Sequence, residues 1–324
     1  MLSMLESRNA RKIVEVCCAV RRQETVLLVT DPTLLEVADQ IAGAAHAVGG
    51  EPTITVMLPR QWDGQEPPTT VAAAMKSANV VIFPTEVDIA HSSAMKEALS
   101  EGARALSMAG CGEDILQSPA MATDFVRERP KCERLAQLAT QAETIHVSSK
   151  AGTDITFSVA NRSGNSHACI IEKPGDFSGV PNVEANVSPV EGTAEGVIVF
   201  DASIPNLRSG TLREPVRLTV ENGVVVTIGG GLEAQHLERM WAEQEDPNVY
   251  NIAQFAIGMN PRCHEANGRI VNDHGIYGSA HFGIGTSTNL GGTVKAAGHI
   301  DGILYNPTVT FDDTVVLSDS TFRF

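Results

Sequence analysis

The first 140 or so residues alternate short apolar runs with helical patterns, and this order narrows the possible folds more than any other feature of the chain. The apolar runs read as buried strands at 24–30, 52–58, 80–83 and 104–108. The segments between and after them show helical spacing, as at 33–48, 91–101 and 128–141. Buried strands that alternate with helices predict a parallel sheet covered on both faces. We therefore expect an amino-terminal parallel α/β domain with a Rossmann-like order of elements.

The pattern changes after Gln141. From Glu143 onward, short strands with alternating apolar residues follow one another, with a turn at Glu221–Asn222–Gly223 and one amphipathic helix at 231–243. These features predict a mostly antiparallel, β-rich domain. We place the domain boundary near Gln141, which gives an α/β domain at 1–141 and a metal-binding domain at 142–324.

His91 follows one of the predicted parallel strands. No G-x-G-x-x-G motif follows any strand of the first domain, which disfavours a dinucleotide site. Ligands of such sheets bind beyond the carboxyl ends of the strands. The segment 84–93 (PTEVDIAHSS) lies at that edge, directly after the strand at 80–83. We therefore expect His91 to line a ligand site.

Composition excludes several classes of function. The chain has 324 residues and a formal net charge of −15, which argues against binding nucleic acid or an anionic membrane surface. No apolar run approaches the ~20 residues of a membrane-spanning helix, and the amino terminus lacks the apolar core of a signal peptide. The six cysteines form no C-x-x-C pair, which favours reduced thiols. We expect a cytoplasmic enzyme with a small-molecule substrate.

The segment 278–301 (GSAHFGIGTSTNLGGTVKAAGHID) combines many glycines with two histidines and an aspartate. On a strand, His299 and Asp301 would project side by side from one face, and His281 would add a second imidazole. Two histidines and a carboxylate hold Fe(II) in non-haem oxygenases, and with a further carboxylate they also suit zinc. The alternative is three independent polar residues in surface loops. The glycines favour a site, because they let backbone approach a bound group closely.

A second informative segment is 181–196 (PNVEANVSPVEGTAEG), where Glu184 lies among Pro, Asn and Ser just before a predicted strand. Local pattern leaves a functional and a structural role equally open for Glu184. Glu191 and Glu195 are expected to be solvated surface charges. His264 and His274 flank the metal segment, and either is a candidate for an extra ligand or for a donor to a ligand.

Four motifs in order carry a family resemblance: GVPNVEANVSPVEGTAEGVIVFD, IAQFAIGMNP, SAHFGIG and GHID. Together they resemble the aminopeptidase T-like metallopeptidases (family M29) and their relatives, the 2,5-dihydroxypyridine 5,6-dioxygenases. The likeness covers most of the second half and extends more weakly to Ile89–Ser92 in the first. It implies that Glu184, His281, His299 and Asp301 match metal ligands of the peptidases.

The same resemblance shows where this chain departs from each branch. The second glutamate of the peptidases falls on Gln254, and their catalytic tyrosine falls near Thr288. A neutral amide is a poor bridge between two dications, because it brings no charge. In the dioxygenases the iron is held by a histidine at about position 254 together with the His-x-Asp pair. The dioxygenase branch is the better match, because it resembles this chain more closely in length and also has a histidine at the position of His91.

These observations leave three hypotheses. In the first, a single Fe(II) on His281, His299 and Asp301 takes a hydroxylated N-heteroaromatic substrate and O2, and His91 deprotonates the ring hydroxyl across an interdomain cleft. In the second, a zinc-type metal on the same residues activates water for peptide or amide hydrolysis, with Glu184 as base or fourth ligand. In the third, the fold is a metal-free binding protein. The resemblance also implies a homo-oligomer.

Overall fold

The structure, a computed structural model, describes residues 4–324. Its chain forms two compact units, one made of residues through Glu128 together with His167–Val183, the other of Arg129–Ser166 together with Glu184–Phe324. The division into an α/β domain at 1–141 and a metal-binding domain at 142–324 stays a prediction. Among the helices of this described part, none is both long and apolar enough to cross a membrane. All six cysteines are free and buried.

The helices and strands are numbered in chain order. The α-helices are α1 Met4–Lys12, α2 Leu35–Ala47, α3 Thr69–Ser77, α4 Ser93–Ser100, α5 Phe125–Gln141, α6 Leu232–Ala242 and α7 Ile270–Asp273. The strands are β1 Thr25–Thr30, β2 Glu51–Val56, β3 Val80–Phe83, β4 Arg104–Ser107, β5 Thr144–Ser148, β6 Asp154–Ser158, β7 Asn165–Ala168, β8 Phe177–Gly179, β9 Val183–Val187, β10 Glu195–Phe200, β11 Val216–Glu221, β12 Val224–Gly229, β13 Ile252–Gly258, β14 Ala280–Gly285, β15 His299–Leu304, β16 Thr308–Phe311, β17 Thr314–Ser318 and β18 Thr321–Phe322. Short single turns of other helix types lie at Ile13–Cys17, Ile115–Gln117, Pro119–Ala122, Pro205–Leu207 and Pro247–Tyr250.

A five-stranded parallel sheet organises the first unit. Its order is β2-β1-β3-β4-β8, and all four neighbouring pairs run parallel. Every residue of β3 and β4 is buried, as expected for central strands covered by helices. Side chains from the sheet and from α3 and α4 share one apolar cluster, which includes Val29, Met75, Phe83 and Met95. The predicted parallel α/β fold is confirmed.

His91 lies in the loop between β3 and α4, as the sequence predicts. The next residue, Ser92, caps α4 by accepting a hydrogen bond from the Met95 N–H at 3.2 Å. On the other side, Asp88 accepts from the Ala90 N–H and donates its own N–H to Asp63. These bonds hold the backbone on both sides of His91 at the carboxyl end of β3.

The second unit is built from antiparallel sheets, which confirms the β-rich prediction. An eight-stranded sheet has the order β12-β11-β10-β6-β5-β16-β17-β18, and a five-stranded sheet has the order β15-β14-β13-β9-β7. Phe157 of the first sheet packs against Phe255 and Phe282 of the second, with ring centroids 5.4 and 5.9 Å away. This aromatic cluster joins the two sheets. The candidate site lies on β9, β13, β14 and β15.

A buried ion pair in the first unit predicts a pH-dependent stability. Arg104, whose side chain is 4% exposed, donates from both terminal nitrogens to Glu24 at 3.0 and 2.8 Å. Burial opposes ionisation, but the guanidinium of Arg104 and the N–H of Arg21 together lower the pKa of Glu24. Its ionisation therefore stabilises the fold above the unfolded-state pKa of ~4.3, and this contribution is lost as pH falls through the lower folded-state value.

We expect Glu24→Gln to reduce the free energy of unfolding by about 2 kcal/mol at pH 7, because a charged hydrogen-bonded partner of buried Arg104 is lost. Urea unfolding at pH 7 and pH 3 measures the effect, and the difference from wild type should shrink in acid. The control is Glu15→Gln, which removes the exposed Arg11–Glu15 pair and should change stability by at most ~0.5 kcal/mol. A Glu24→Gln effect that is equal at both pH values would contradict this account.

Candidate metal centre

One face of the five-stranded sheet carries the candidate site. In the β13–β14–β15 ladder, Gln254 pairs with Gly283, which in turn pairs with Asp301. His281 lies two residues from Gly283 on β14, and His299 lies two residues from Asp301 on β15, so all four polar side chains share this face. Small residues lie between the polar side chains along the face: Ala256, Gly258, Gly283 and Gly285. The small residues therefore leave space above the strands between the polar side chains.

β9 contributes the second carboxylate. Glu184 pairs with Gly258 of β13, and Asn186 pairs with Ala256, so both project from the same face. Asn186 Nδ2 donates to Glu184 Oε1 at 2.8 Å. The other carboxylate oxygen, Oε2, lies 3.6 Å from His281 Nε2. Asn186 thus fixes Glu184 so that Oε2 points toward the histidines.

His299 and Asp301 form the other half of the cluster. The His299 Nδ1–H donates to the Thr286 carbonyl at 2.9 Å, and Nε2 lies 3.2 Å from Asp301 Oδ1. A histidine that donates through Nδ1 to a backbone carbonyl has its Nε2 available to bind a metal ion. This is the usual arrangement of metal-binding imidazoles. The Asp301 N–H donates to Asn206 Oδ1 at 2.8 Å and holds the strand at this point.

His274 joins the two halves from outside the sheet. It directly follows α7, and its ring stacks on His281 with 4.1 Å between centroids and 16° between planes. Its Nδ1 lies 3.8 Å from Glu184 Oε2, and its Nε2 lies 3.5 Å from Asp301 Oδ2. His274 is therefore near both carboxylates.

The backbone around His274 is held in two ways. Gly258 lets the segment approach β13, since a Cβ there would lie 2.6 Å from the His274 carbonyl oxygen. The buried Asp273 carboxylate accepts from the Ser203 hydroxyl at 2.6 Å and from the N–H groups of Asn267 and Gly268 at 2.9 and 2.8 Å. These contacts fix the loop that positions His274.

The cluster balances buried charges of opposite sign. Burial disfavours ionised Asp301, but His299 and His274 outweigh it and hold the Asp301 pKa well below its usual range. Burial likewise opposes charge on His274, yet the Asp301 and Glu184 carboxylates raise its pKa to about 9. Burial and the neighbouring His274 lower the pKa of His281 to about 4. These shifts favour the imidazolium form of His274 and the neutral imidazole form of His281 at neutral pH.

The donor set fits a divalent metal ion. One possible ligand atom each from Glu184, His274 and His281 lies within 4.8 Å of the other two. Within residues 4–324, two buried imidazole nitrogens make no hydrogen bond, His274 Nε2 and His281 Nδ1. Imidazole and carboxylate donors in one buried face suit iron, zinc and related divalent ions.

The structure brings together four of the five side chains that the sequence singles out. Glu184, His281, His299 and Asp301 share the cluster, while His91 belongs to the first unit. Their roles as ligands or catalytic groups stay predictions. Of the two flanking histidines, His274 is in the cluster, whereas His264 is exposed and lies beside Tyr277, with 6.5 Å between ring centroids. The Asn-Asp-His-Gly turn pattern at 272–275 marks a loop but does not reveal that its histidine is buried.

The expectation for Glu191 as a solvated surface charge is wrong. Its carboxylate pairs with Arg162 and accepts from the Thr293 N–H and hydroxyl at 2.7 and 3.0 Å. Glu191 therefore ties down the glycine-rich segment between β14 and β15. Sequence pattern missed this role because the two partners lie 29 and 102 residues away.

Gly283 lies directly against the His299 ring. A Cβ at Gly283 would lie 2.3 Å from His299 Nε2 and 2.6 Å from Cε1, so Gly283→Ala must displace the imidazole. We expect metal affinity to fall by roughly 10–100-fold, the usual result of misplacing a ligand. Cobalt(II) titration measures the change.

The matched control is Gly43→Ala in α2, where an added Cβ meets nothing within 4 Å. This variant should keep wild-type cobalt affinity and gain up to ~1 kcal/mol of stability from helix propensity. Wild-type affinity in folded Gly283→Ala would show that the His299 ring does not need this space.

The chain is similar to known proteins over most of its length. A family model described as NicX, 2,5-dihydroxypyridine 5,6-dioxygenase, matches residues 10–323. A 2,5-dihydroxypyridine 5,6-dioxygenase from Pseudomonas putida is 28% identical over 253 residues, which cover 75% of this chain and 71% of that protein.

Two solved structures share the fold. The 2,5-dihydroxypyridine dioxygenase of Pseudomonas putida superposes with a TM-score of 0.84 at 22% identity and covers 98% of this chain and 96% of its own. AmpT from Thermus thermophilus has a TM-score of 0.71 at 13% identity and covers 99% of both chains. The resemblance seen in the sequence is thus confirmed, with the family model spanning nearly the whole chain. The chain belongs to the 2,5-dihydroxypyridine 5,6-dioxygenase family.

Proposed function

We propose that this protein is a mononuclear Fe(II) dioxygenase that opens a hydroxylated N-heteroaromatic ring of the 2,5-dihydroxypyridine type. The observation that carries the proposal is the buried cluster of imidazoles and carboxylates on one sheet face, in a chain of this dioxygenase family. A ligand set of two histidines and one carboxylate leaves positions open on iron, as a dioxygenase requires. We assign this set to His281, His299 and Asp301.

The site residues have separate tasks in this mechanism. When bound, Fe(II) supplies the one-electron chemistry that lets O2 react with an aromatic ring. The Nδ1–H bond of His299 to Thr286 keeps its Nε2 directed to the site. Glu184 Oε2 can accept the proton of a ring hydroxyl, because Asn186 occupies the other oxygen. Burial of Glu184, His281, His299 and Asp301 keeps bulk water away from the reacting groups.

Hydrolysis by a zinc-type metal is the second candidate function. Glu184 favours it, since a carboxylate 3.6 Å from a ligand imidazole could serve as general base toward a metal-activated water. Gln254 argues against a two-metal form, because its uncharged amide takes the place of a bridging carboxylate. A metal-free binding protein is the third candidate. Metal identity and oxygen consumption separate the three.

Iron dependence is tested with protein purified without oxygen and reconstituted with Fe(II). We expect uptake of one O2 per molecule of 2,5-dihydroxypyridine consumed, and none from the zinc-loaded protein. Asp301→Ala and His299→Ala should lose both bound iron and oxygen uptake while retaining the fold, since each removes one of three ligands. Oxygen uptake by iron-free protein, or full iron retention by either variant, would contradict the proposal.

His91 is proposed as an additional base for the ring hydroxyl. Its support is its position at the carboxyl end of β3, where ligands of parallel sheets bind. We expect His91→Ala to keep its metal and lose roughly 10²–10⁴-fold in turnover, the usual contribution of a positioned acid or base. Iron content and steady-state oxygen uptake measure the two properties. Turnover close to wild type would exclude the role.

Cytoplasmic location and homo-oligomer formation also stay predictions. The six free, buried cysteines accord with a reducing compartment. The oligomer rests on the family resemblance alone. Sedimentation at micromolar concentration tests the oligomer, and a monomer there would contradict it.

A further inference from the structure

Position 254 of the sheet face carries an amide beside the candidate ligands. Gln254 points into the cluster from β13, with Nε2 3.4 Å from His281 Nε2 and 3.5 Å from Glu184 Oε1. The amide nitrogen only donates hydrogen bonds, and the amide oxygen is uncharged, so Gln254 is a weaker ligand for a divalent ion than an imidazole or a carboxylate. The central strand β13 therefore supplies no strong metal donor at this position.

His274 brings an imidazole to the same face from the loop after α7. Its nitrogens lie 3.8 Å from Glu184 Oε2 and 3.5 Å from Asp301 Oδ2, on opposite sides of one ring. A metal held by either carboxylate would therefore have the His274 imidazole beside it. His274 therefore lies between the two carboxylates, where a metal ligand would be placed.

Two further observations indicate a ligand rather than a packing residue. In the part of the chain that the structure describes, the buried His274 Nε2 makes no hydrogen bond of regular geometry, and Asp301 Oδ2 at 3.5 Å is the carboxylate it faces. The preceding Asp273 is buried and satisfied by Ser203, Asn267 and Gly268, so the loop is fixed in advance. Preorganised support of this kind is typical of metal ligands.

We infer that His274 is a direct ligand of the metal ion, as a third imidazole beside those of His281 and His299. The inference deepens the proposed function, since it requires a resident divalent ion. It does not require that the ion be iron or that the substrate be a pyridine. Cobalt(II) binding therefore tests it separately from dioxygenase activity.

The first test compares cobalt(II) affinity and absorption spectra of wild type, His274→Ala and His274→Gln. Loss of a direct ligand should weaken binding by more than ~100-fold, beyond the effect of losing a group that only supports a ligand. His299→Ala is the positive control, and His236→Ala, an exposed imidazole on α6, is the matched control that should match wild type. His274→Gln keeps a polar side chain of similar length, and thermal unfolding of the metal-free proteins verifies that each variant folds.

The second test needs no variant. A crystal structure of the wild-type protein with cobalt(II), located by anomalous scattering, should place a His274 nitrogen within about 2.3 Å of the ion. A distance above ~3 Å, or variants within threefold of wild-type affinity, would overturn the inference while leaving the proposed function standing. If wild type binds no cobalt(II) or Fe(II) at all, both fail.

Discussion

The site depends on burying two carboxylates among three imidazoles on one sheet face. An isolated buried carboxylate is costly, and Glu184 and Asp301 are both almost fully buried. His299 and His274 compensate Asp301, which is why its pKa falls despite burial. A divalent cation can replace the histidine protons as the positive partner. The electrostatics that stabilise the metal-free cluster therefore also prepare it to bind metal.

Two glycines in the strands make room for the charged groups of the cluster. Gly283 leaves room for the His299 ring, and Gly258 admits the backbone of the His274 loop. Any side chain at either position would meet atoms closer than 3 Å, so these glycines fix what the face can hold. Asn186 and Asp273 then orient a carboxylate and a loop by hydrogen bonds. The glycines leave room for the His299 ring and the His274 loop, and Asn186 and Asp273 fix the orientation of Glu184 and of that loop.

Much of this arrangement could be predicted from sequence, for identifiable reasons. Strand periodicity places His299 and Asp301 on one face, and alternation of strands with helices gives the parallel sheet that ends near His91. Glu184 needed the family resemblance, because its local pattern also suits a structural residue. His274 remained one candidate of two, because its burial depends on a loop folding back over Gly258. Contacts of that kind have no periodicity, and the same is true of Glu191, whose partners lie far away in the chain.

On the proposed function, this buried cluster holds a single Fe(II) ion. Anaerobic equilibrium dialysis of the wild-type protein against Fe(II) measures the stoichiometry directly. We expect one Fe(II) per chain, with saturation of a single class of site. Binding of two ions per chain, or no saturable binding at all, would contradict it.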